Sequence, residues 1–328
     1  RPDVRTRRAQ TGTSDPEKIA RLFRRSKYDL VVVGASQSAE GTIAAGHALT
    51  LGKTIPRLGV QDMYGSSMPT LRLAKDHIDC LCVTDEFARA LVLREFPSLL
   101  SRVVVTGGPQ FDKTAVVKKN WGERRKEMRK TMRAENGQKV FLVVGGINGT
   151  AEMLEILEKG IEQLCLAKSP KVILRTHPRA TGEDKTLLEA YLQSTKRREW
   201  LADVGPTVVP ITEDLLPGVD YVLSGYSTVN YFGIIYEMPG VMYVGTPAFK
   251  RDLMAEKSLK VPPEVENGAG WYVETADDVS EAITVVRQDL LTGRLLEIKR
   301  AQSKISVQND GNAADRVWGQ MQKLMVGC

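Results

Sequence analysis

The stretch Tyr221-Val-Leu-Ser-Gly-Tyr-Ser-Thr228 is the most informative part of this sequence. Residues 221–223 form an apolar run typical of a buried strand, and residues 228–237 have the pattern of a helix. The hydroxyl groups of Ser224, Ser227 and Thr228 can cap that helix, and its first free N–H groups point toward the same place. Such a helix start is suited to a phosphate, although it also fits an N-cap without a ligand.

Short apolar runs alternate with helical patterns in both directions from this turn. In the first half of the chain, strands are predicted at residues 28–34, 55–60, 78–84 and 102–106. In the second half, they are predicted at residues 140–145, 171–175, 207–210, 221–223 and 240–244. Two successive βα series predict an α/β protein with two Rossmann-like domains, each built on a parallel sheet. Ligands of such sheets bind at the carboxyl ends of the strands, so we expect the site in an interdomain cleft.

The distribution of charge and the pattern of apolar residues divide the chain into four predicted segments. They are a basic leader (1–27), an N-terminal Rossmann-like domain (28–112), a basic connector (113–137) and a C-terminal Rossmann-like domain (138–328). The leader holds nine Lys or Arg against three acids, and the rest of the chain is balanced with 37 of each sign, which accounts for the net charge of +6. The first domain is short for its class, which we interpret as an N-terminal truncation.

The basic leader has few aromatic residues, so we expect no nucleic-acid binding. It can instead contact an anionic membrane surface peripherally, or remain solvated. No apolar run approaches the roughly 20 residues of a membrane-spanning helix, and the first residues lack the apolar part of a signal peptide. We therefore expect a cytoplasmic protein, peripheral to the membrane if the leader binds there.

Two further strand ends of the second domain carry groups suited to an anion. The turn from Gly145 and Gly146 through Asn148 to Thr150 has glycines that let a ligand approach the backbone closely. The segment Arg175-Thr-His-Pro-Arg179 places two guanidinium groups beside His177, which suits a diphosphate or a leaving group. An ordinary βα turn and a structural histidine are the alternatives, but three such ends converge in one sheet.

In the first domain, Asp62 follows a predicted strand and is the best-placed carboxylate to activate an acceptor hydroxyl, with a turn-forming aspartate as the alternative. The sequence has no GxGxxG after a strand, no P-loop and no HExxH motif. Its cysteines and histidines have no metal-ligand spacing. We therefore expect neither a metal nor a resident cofactor.

In their order and spacing, these motifs resemble those of GT-B enzymes, which use nucleotide sugars and have two facing Rossmann-like domains. The pattern is most similar to CDP-glycerol glycerophosphotransferases and related polysaccharide-building transferases, with their R-x-H-P, D-Y-S-S-V-x-F-D followed by proline, and T-G-x-P-x-x-D. The counterparts are Arg175-Thr-His-Pro178, Gly225-Tyr-Ser-Thr-Val-Asn-Tyr-Phe-Gly233 with Pro239, and Thr106-Gly-Gly-Pro-Gln-Phe-Asp112. Tyr64 stands where that family has the histidine of W-H-G. In the helix at 228–237, no acid stands at the position of the glutamate that holds the ribose in other GT-B enzymes, since Glu237 lies too far along.

The resemblance implies a transferase that moves a glycosyl or polyol-phosphate group from a nucleoside diphosphate donor, bound as a substrate, to a hydroxyl acceptor that can be lipid-linked. The product would be a glycan or a cell-surface polymer. The first domain would lie on the acceptor side. His177 would assist the leaving group, and Asp62 would act on the acceptor. The donor would be bound by Gly145, Gly146, Asn148, Arg175, Arg179, Ser224, Ser227, Thr228 and Asn230.

Two alternatives stay open. The first is a nucleotide-sugar 2-epimerase-like isomerase, which needs several acids in the cleft. The second is a non-catalytic GT-B-like protein that uses the cleft only to bind.

Overall fold

The computed structural model describes residues 15–25, 27–35, 39–51, 54–63, 68–202, 204–257, 259–287 and 293–326. The chain divides into two compact units. The first unit consists of Arg1–Gln110 and Asn312–Cys328, and the second unit of Phe111–Gly311. Each unit holds a parallel sheet with helices, so the predicted α/β fold with two Rossmann-like domains is confirmed.

The elements are numbered in chain order. The strands are β1 (Val31–Ala35), β2 (Arg57–Gln61), β3 (Cys80–Val83), β4 (Val103–Val105), β5 (Val140–Val144), β6 (Lys171–Arg175), β7 (Leu201–Ala202), β8 (Tyr221–Ser224), β9 (Val241–Val244) and β10 (Trp271–Val273). The α-helices are α1 (Pro16–Arg25), α2 (Ala39–Leu51), α3 (Met68–Ala74), α4 (Glu86–Glu95), α5 (Lys113–Lys119), α6 (Trp121–Thr131), α7 (Thr150–Glu162), α8 (Gly182–Ser194), α9 (Thr228–Ile235), α10 (Pro247–Lys257), α11 (Pro263–Glu266), α12 (Ala276–Arg287), α13 (Gly293–Gln308) and α14 (Ala313–Val326). None of the described helices has both the length and the apolar character needed to cross a bilayer.

The sheet of the first unit has the order β1-β2-β3-β4, so each crossover advances in the same direction. Arg57 at the start of β2 is only 8% exposed. Its guanidinium forms two hydrogen bonds of 3.0 and 3.1 Å to the carboxylate of Asp79, which also accepts the Arg57 backbone N–H. This pairing compensates the buried positive charge.

The sheet of the second unit has the order β10-β9-β8-β5-β6-β7. The chain first builds outward from β5 to β6 and β7, and then crosses to the other side of β5 to place β8, β9 and β10. This is the Rossmann strand order, with its reversal between β5 and β8. The core beneath it joins Phe141 and Val143 of the central strand to Leu157 of α7 and Ile283 of α12.

One connection differs from its predicted structure. The strand predicted at residues 207–210 is wrong, because those residues form a turn and a bend. The edge strand is instead β7, which pairs with β6 through only two residues. Val209 is buried although it lies outside the sheet, and its carbonyl accepts a hydrogen bond from Arg175. The apolar residues that suggested a strand therefore pack as part of a loop.

The unit boundaries also differ from the predicted segments. Residues 113–137, expected as a connector, form α5 and α6 within the second unit. Arg125 and Arg129 of α6 hold the carboxylate of Asp220 at 2.6 and 3.3 Å. The C-terminal helix α14, expected in the second domain, belongs to the first unit, where Val317 packs against Leu58 and Cys82. The basic leader is in part helical, since α1 lies within it.

Candidate functional site

The carboxyl edge of the second sheet brings three of the sequence-predicted strand ends together. Val144 of β5 is in register with Arg175 of β6 on one side and with Ser224 of β8 on the other. The turns that follow β5, β6 and β8 therefore leave the sheet at the same level. The strand order reverses between β5 and β8, and such a reversal opens a crevice at the carboxyl ends of the strands.

The start of α9 is capped by Ser227, as the sequence predicts. The Ser227 hydroxyl accepts the backbone N–H of Val229 at 3.2 Å, and Thr228 is the first helical residue and is exposed. The remaining N–H groups of the first turn carry the positive end of the helix dipole. The start of α9 thus keeps the features of an anion site.

Ser224 and Asn230 have a different environment, because both side chains are buried within the unit. The Ser224 hydroxyl donates to the Asn230 side-chain oxygen at 2.8 Å, and the Asn230 amide donates to the carbonyl of Met242 at 3.0 Å. The two residues are 1% and 0% exposed. Their hydrogen bonds join β8, α9 and β9 and thereby fix the position of the turn that Ser227 caps.

The start of α7 is neutralised from inside the protein. Gly149 has a left-handed φ of 80°, and the next residue, Thr150, donates both its N–H and its hydroxyl to the buried carboxylate of Asp184, at 2.9 and 2.8 Å. A carboxylate at a helix N-terminus is favoured by the dipole. Asp184 therefore takes the place at α7 that an external anion would otherwise fill.

Asn148 is held at both ends of its amide. Its nitrogen donates to the Asp252 carboxylate of α10 at 3.2 and 3.3 Å, and its oxygen accepts the Thr181 hydroxyl at 2.9 Å. The side chain thus ties the turn after β5 to α10 and to the start of α8.

The glycines of the two turns make room for side chains of the same unit. A β-carbon at Gly225 would lie 1.8 Å from the ring of Phe249, and one at Gly146 would lie 2.5 Å from it. A β-carbon at Gly145 would lie 2.8 Å from the Thr150 hydroxyl. The close approach to the backbone that the sequence predicts is therefore made by Phe249 and Thr150 in this structure.

Arg175 is the most unusual charged group of this edge. It is 5% exposed, and its guanidinium donates a single hydrogen bond, of 2.6 Å, to the carbonyl of Val209. Its Nε is buried without a hydrogen-bond partner, and no acidic residue in the described part of the chain pairs with it. Burial lowers the pKa of Arg175 below its ordinary value. A buried cation of this kind is costly unless an anion compensates it.

His177 lies two residues beyond Arg175 and is partly exposed. Its Nδ1 accepts the backbone N–H of Arg179 at 3.0 Å. Nδ1 is thus the acceptor nitrogen of a neutral ring, and Nε2 carries the proton. The exposed side chain of Arg179 and this imidazole follow the same strand as Arg175.

The other sequence-predicted groups lie in the first unit. Asp62 follows β2 with an exposed side chain, and its carbonyl accepts the Gln110 side-chain amide at 2.5 Å. Tyr64 lies outside the described residues. In the described ranges, no group of three or more His, Cys, Asp or Glu side chains is placed to hold a metal ion.

Sequence reasoning missed three residues that shape this edge: Asp184, Phe249 and Asp252. Asp184 had a local signal, because Thr181 and Asp184 have the spacing of a capping box at the start of α8. Phe249 and Asp252 had none, since their contacts with the turns after β5 and β8 span from 24 to 104 residues of sequence.

No protein-family model matches this sequence, and no curated protein sequence matches it. Solved structures do match. MnaA of S. aureus, in a co-structure with UDP, is 15% identical at a TM-score of 0.60, and the match covers 94% of this chain and 79% of that protein. The UDP-GlcNAc 2-epimerase of Neisseria meningitidis bound to UDP-GlcNAc is 16% identical at a TM-score of 0.59, covering 94% and 80%.

A variant of the wall teichoic acid polymerase TagF soaked with CDPG is 13% identical at a TM-score of 0.52, covering 91% of this chain and 72% of that protein. At these identities the likeness concerns the fold. Together with the two parallel sheets and the Rossmann strand order of the second, it confirms the predicted pair of Rossmann-like α/β domains. The chain therefore has a GT-B-type fold, with two Rossmann-like α/β domains.

Proposed function

We propose that this protein is a GT-B-type transferase. It binds a nucleoside diphosphate donor at the carboxyl edge of the second sheet and moves a glycosyl or polyol-phosphate group to a hydroxyl acceptor. The observation that carries the proposal is Arg175, a buried guanidinium without a countercharge in the described residues, at the strand end beside β5. A diphosphate bound at this strand end would supply negative charge close to the guanidinium.

The neighbouring groups suit the chemistry of a leaving phosphate group. In glycosyl transfer the bond between the sugar carbon and the terminal phosphate oxygen breaks and a nucleoside diphosphate leaves. In polyol-phosphate transfer the bond between the terminal phosphorus and the bridging oxygen breaks and a nucleoside monophosphate leaves. In both, the acceptor oxygen forms the new bond and gives up its proton. Arg175 and the N–H groups at the start of α9 stabilise the charge that develops on the phosphate. The proton on Nε2 of His177 can be donated in a hydrogen bond to the departing oxygen.

The acceptor-side assignment is part of the same proposal. Asp62 would take the proton from the acceptor hydroxyl. We expect Asp62→Asn to lower turnover by about 10²-fold or more while nucleotide binding stays unchanged. Equal loss of binding and turnover would contradict the assignment of Asp62 to the acceptor.

The ligands in the structurally similar proteins support a nucleotide donor. They are UDP, UDP-GlcNAc and CDPG. A nucleotide-sugar 2-epimerase-like isomerase shares the same donor and is the second candidate, because several of the solved structures with this fold are UDP-GlcNAc 2-epimerases. The two candidates differ in one requirement, since an isomerase turns over without an acceptor.

The test is a titration of the full chain with UDP, CDP, GDP and their sugar or glycerol conjugates, followed by thermal unfolding. A nucleotide at 100 times its dissociation constant should add about 2.7 kcal/mol of stability. The double variant Ser227→Ala/His177→Ala should abolish this gain. The matched control Ser194→Ala/His77→Ala changes the same residue types away from the strand ends and should retain it.

The outcomes separate the candidates. If no nucleotide stabilises the protein, both enzyme functions are wrong. If a nucleotide binds and is consumed only when an acceptor is added, the transferase is supported. Consumption or isomerisation without an acceptor supports the epimerase. Unchanged binding in the Ser227→Ala/His177→Ala variant would show that the donor site lies elsewhere.

A further inference from the structure

Phe249 lies between the two glycine turns at the reversal of the second sheet. It belongs to the first turn of α10 and is 8% exposed. Its ring packs so closely on Gly225 and Gly146 that a β-carbon at either position would lie within 2.5 Å of a ring atom. The same ring lies 3.5 Å from the β-carbon position of Gly149. The aromatic ring therefore fills the space over the turns after β5 and β8.

This space is where an α/β sheet of this strand order binds its ligands. The glycines allow close approach to the backbone, and either the ring or a phosphate can use that approach, but not both at once. We propose that Phe249 is a gate: its ring closes the diphosphate site in the ligand-free protein and leaves when the donor binds. This inference rests on the proposed function, because it concerns access to the same site.

A second position for the ring would lie toward a small pocket beside it, where neighbouring side chains must give way. The pocket borders Phe249 and Gly225, and its space of about 220 Å³ is partly open to solvent. Its walls are mostly apolar or aromatic, with Tyr226, Val244, Leu253, Pro262 and Tyr272 among the lining residues. A phenyl ring that moves there exchanges one apolar environment for another, so the two positions can be close in free energy.

A polar contact fixes α10, the helix that carries Phe249, to the turn after β5. Asp252 lies three residues after Phe249 on α10, and its carboxylate accepts the Asn148 amide from the turn after β5. Asn148 is in turn held by Thr181 at the start of α8. Loss of the Asp252 carboxylate should therefore favour the open position without any change in the ring.

A closed gate weakens the apparent affinity by the fraction of molecules that are open. If the open state is populated at 10% or less, removal of the ring should tighten binding by about tenfold or more. The opposite holds if the ring is a wall that contacts the ligand, because its removal would then weaken binding.

The experiment is a calorimetric titration of inorganic pyrophosphate and of UDP into the full chain and three variants. Phe249→Ala removes the gate, Asp252→Ala removes the polar contact that fixes α10, and Met254→Ala changes an exposed residue of the same helix as the matched control. We expect tighter binding of both ligands to Phe249→Ala and Asp252→Ala, and the affinity of the parent chain in Met254→Ala.

Each outcome decides the inference. If Phe249→Ala does not fold, the Asp252→Ala titration decides it alone. If the parent chain binds the ligands and the first two variants bind them with equal or weaker affinity, the gate is wrong and the proposed function stands. Binding that appears only in those two variants supports both. No binding to any of the four proteins overturns the proposed function, and the gate with it.

Discussion

Each of the two sheets buries an arginine at a strand end, and the two differ in what neutralises them. Arg57 in the first unit is 8% exposed and has a bidentate partner in Asp79. Arg175 in the second unit is 5% exposed and has only the carbonyl of Val209, with no acid paired to it in the described residues. The first arginine belongs to an ion pair, and the second has no acidic partner among the described residues.

The two sheets also differ in their strand order. The first sheet advances in one direction from β1 to β4, whereas the second reverses between β5 and β8. A reversal creates a crevice at the carboxyl ends of the strands, and Arg175 ends the strand next to it. The arginine without an acidic partner in the described residues therefore lies next to the reversal of strand order, in the second unit.

The largest effect is expected from removal of the acid that compensates Arg57. Asp79→Ala leaves a buried guanidinium without a countercharge in the first unit, and we expect the free energy of unfolding to fall by about 3 kcal/mol. Denaturant unfolding measures it. The control Asp76→Ala removes an exposed acid three residues away and should change stability by less than about 0.5 kcal/mol. A small effect of Asp79→Ala would mean that Arg57 is not a compensated charge.

A methyl group added at a glycine of each unit should also change the free energy of unfolding by different amounts. Gly225→Ala places a β-carbon against Phe249, and we expect a loss of about 2 kcal/mol in the free energy of unfolding from overpacking. Gly34→Ala at the end of β1 meets nothing within 4 Å and should cost less than about 0.5 kcal/mol. Equal costs in chemical denaturation would show that the crevice is not closely filled.

The two arginines should respond to the same substitution with opposite signs. Arg175→Met replaces an uncompensated buried charge by an apolar side chain of similar length, so we expect a gain of about 1 kcal/mol in the free energy of unfolding without ligand. Arg57→Met breaks a compensated pair and should lower it. If both variants lose stability to a similar extent, Arg175 is compensated after all.

The smallest expected effect is a change with pH in the free energy of unfolding, and it comes from a residue of the second unit. Burial alone would raise the pKa of Asp278 in α12, but hydrogen bonds from the N–H groups of Glu274 and Thr275 and from the Thr275 hydroxyl lower it below its ordinary value. A lowered folded-state pKa adds stability above the unfolded pKa of about 3.9, and this stability is lost as pH falls toward the folded pKa. The stability difference between the parent chain and Asp278→Asn should therefore shrink below about pH 4. A difference that is constant from pH 7 to pH 3 would contradict this.

Much of the fold follows from local sequence signals. The continuous apolar runs of β5 and β6 are found at their predicted places, because strands buried on both faces need no alternation. The edge strand β7 was missed because two residues carry no pattern, while the more apolar residues nearby pack as a loop. Helix α13 and strand β10 were also not predicted. Which of the two units α14 joins depends on contacts with residues over 200 positions earlier in the sequence.

The candidate site divides in the same way. The cap at Ser227 and the place of Arg175 at a strand end are local properties and could be predicted. The partners of Ser224, Asn148 and the glycines lie on other elements, so the sequence could not show that these groups are engaged within the unit. Nor could it show that Arg175 has no acidic partner in the described part of the chain, since that depends on the folded surroundings.

The assignment of Arg175 to the donor is tested by the affinity for UDP of the two arginine variants, measured by titration calorimetry on the full chain. We predict that Arg57→Met binds UDP with the affinity of the parent chain, because Arg57 is paired with Asp79 within the first unit. Arg175→Met should bind UDP at least about tenfold more weakly, since it loses a charge-assisted hydrogen bond to the phosphate. UDP binding of unchanged affinity in Arg175→Met would contradict the account.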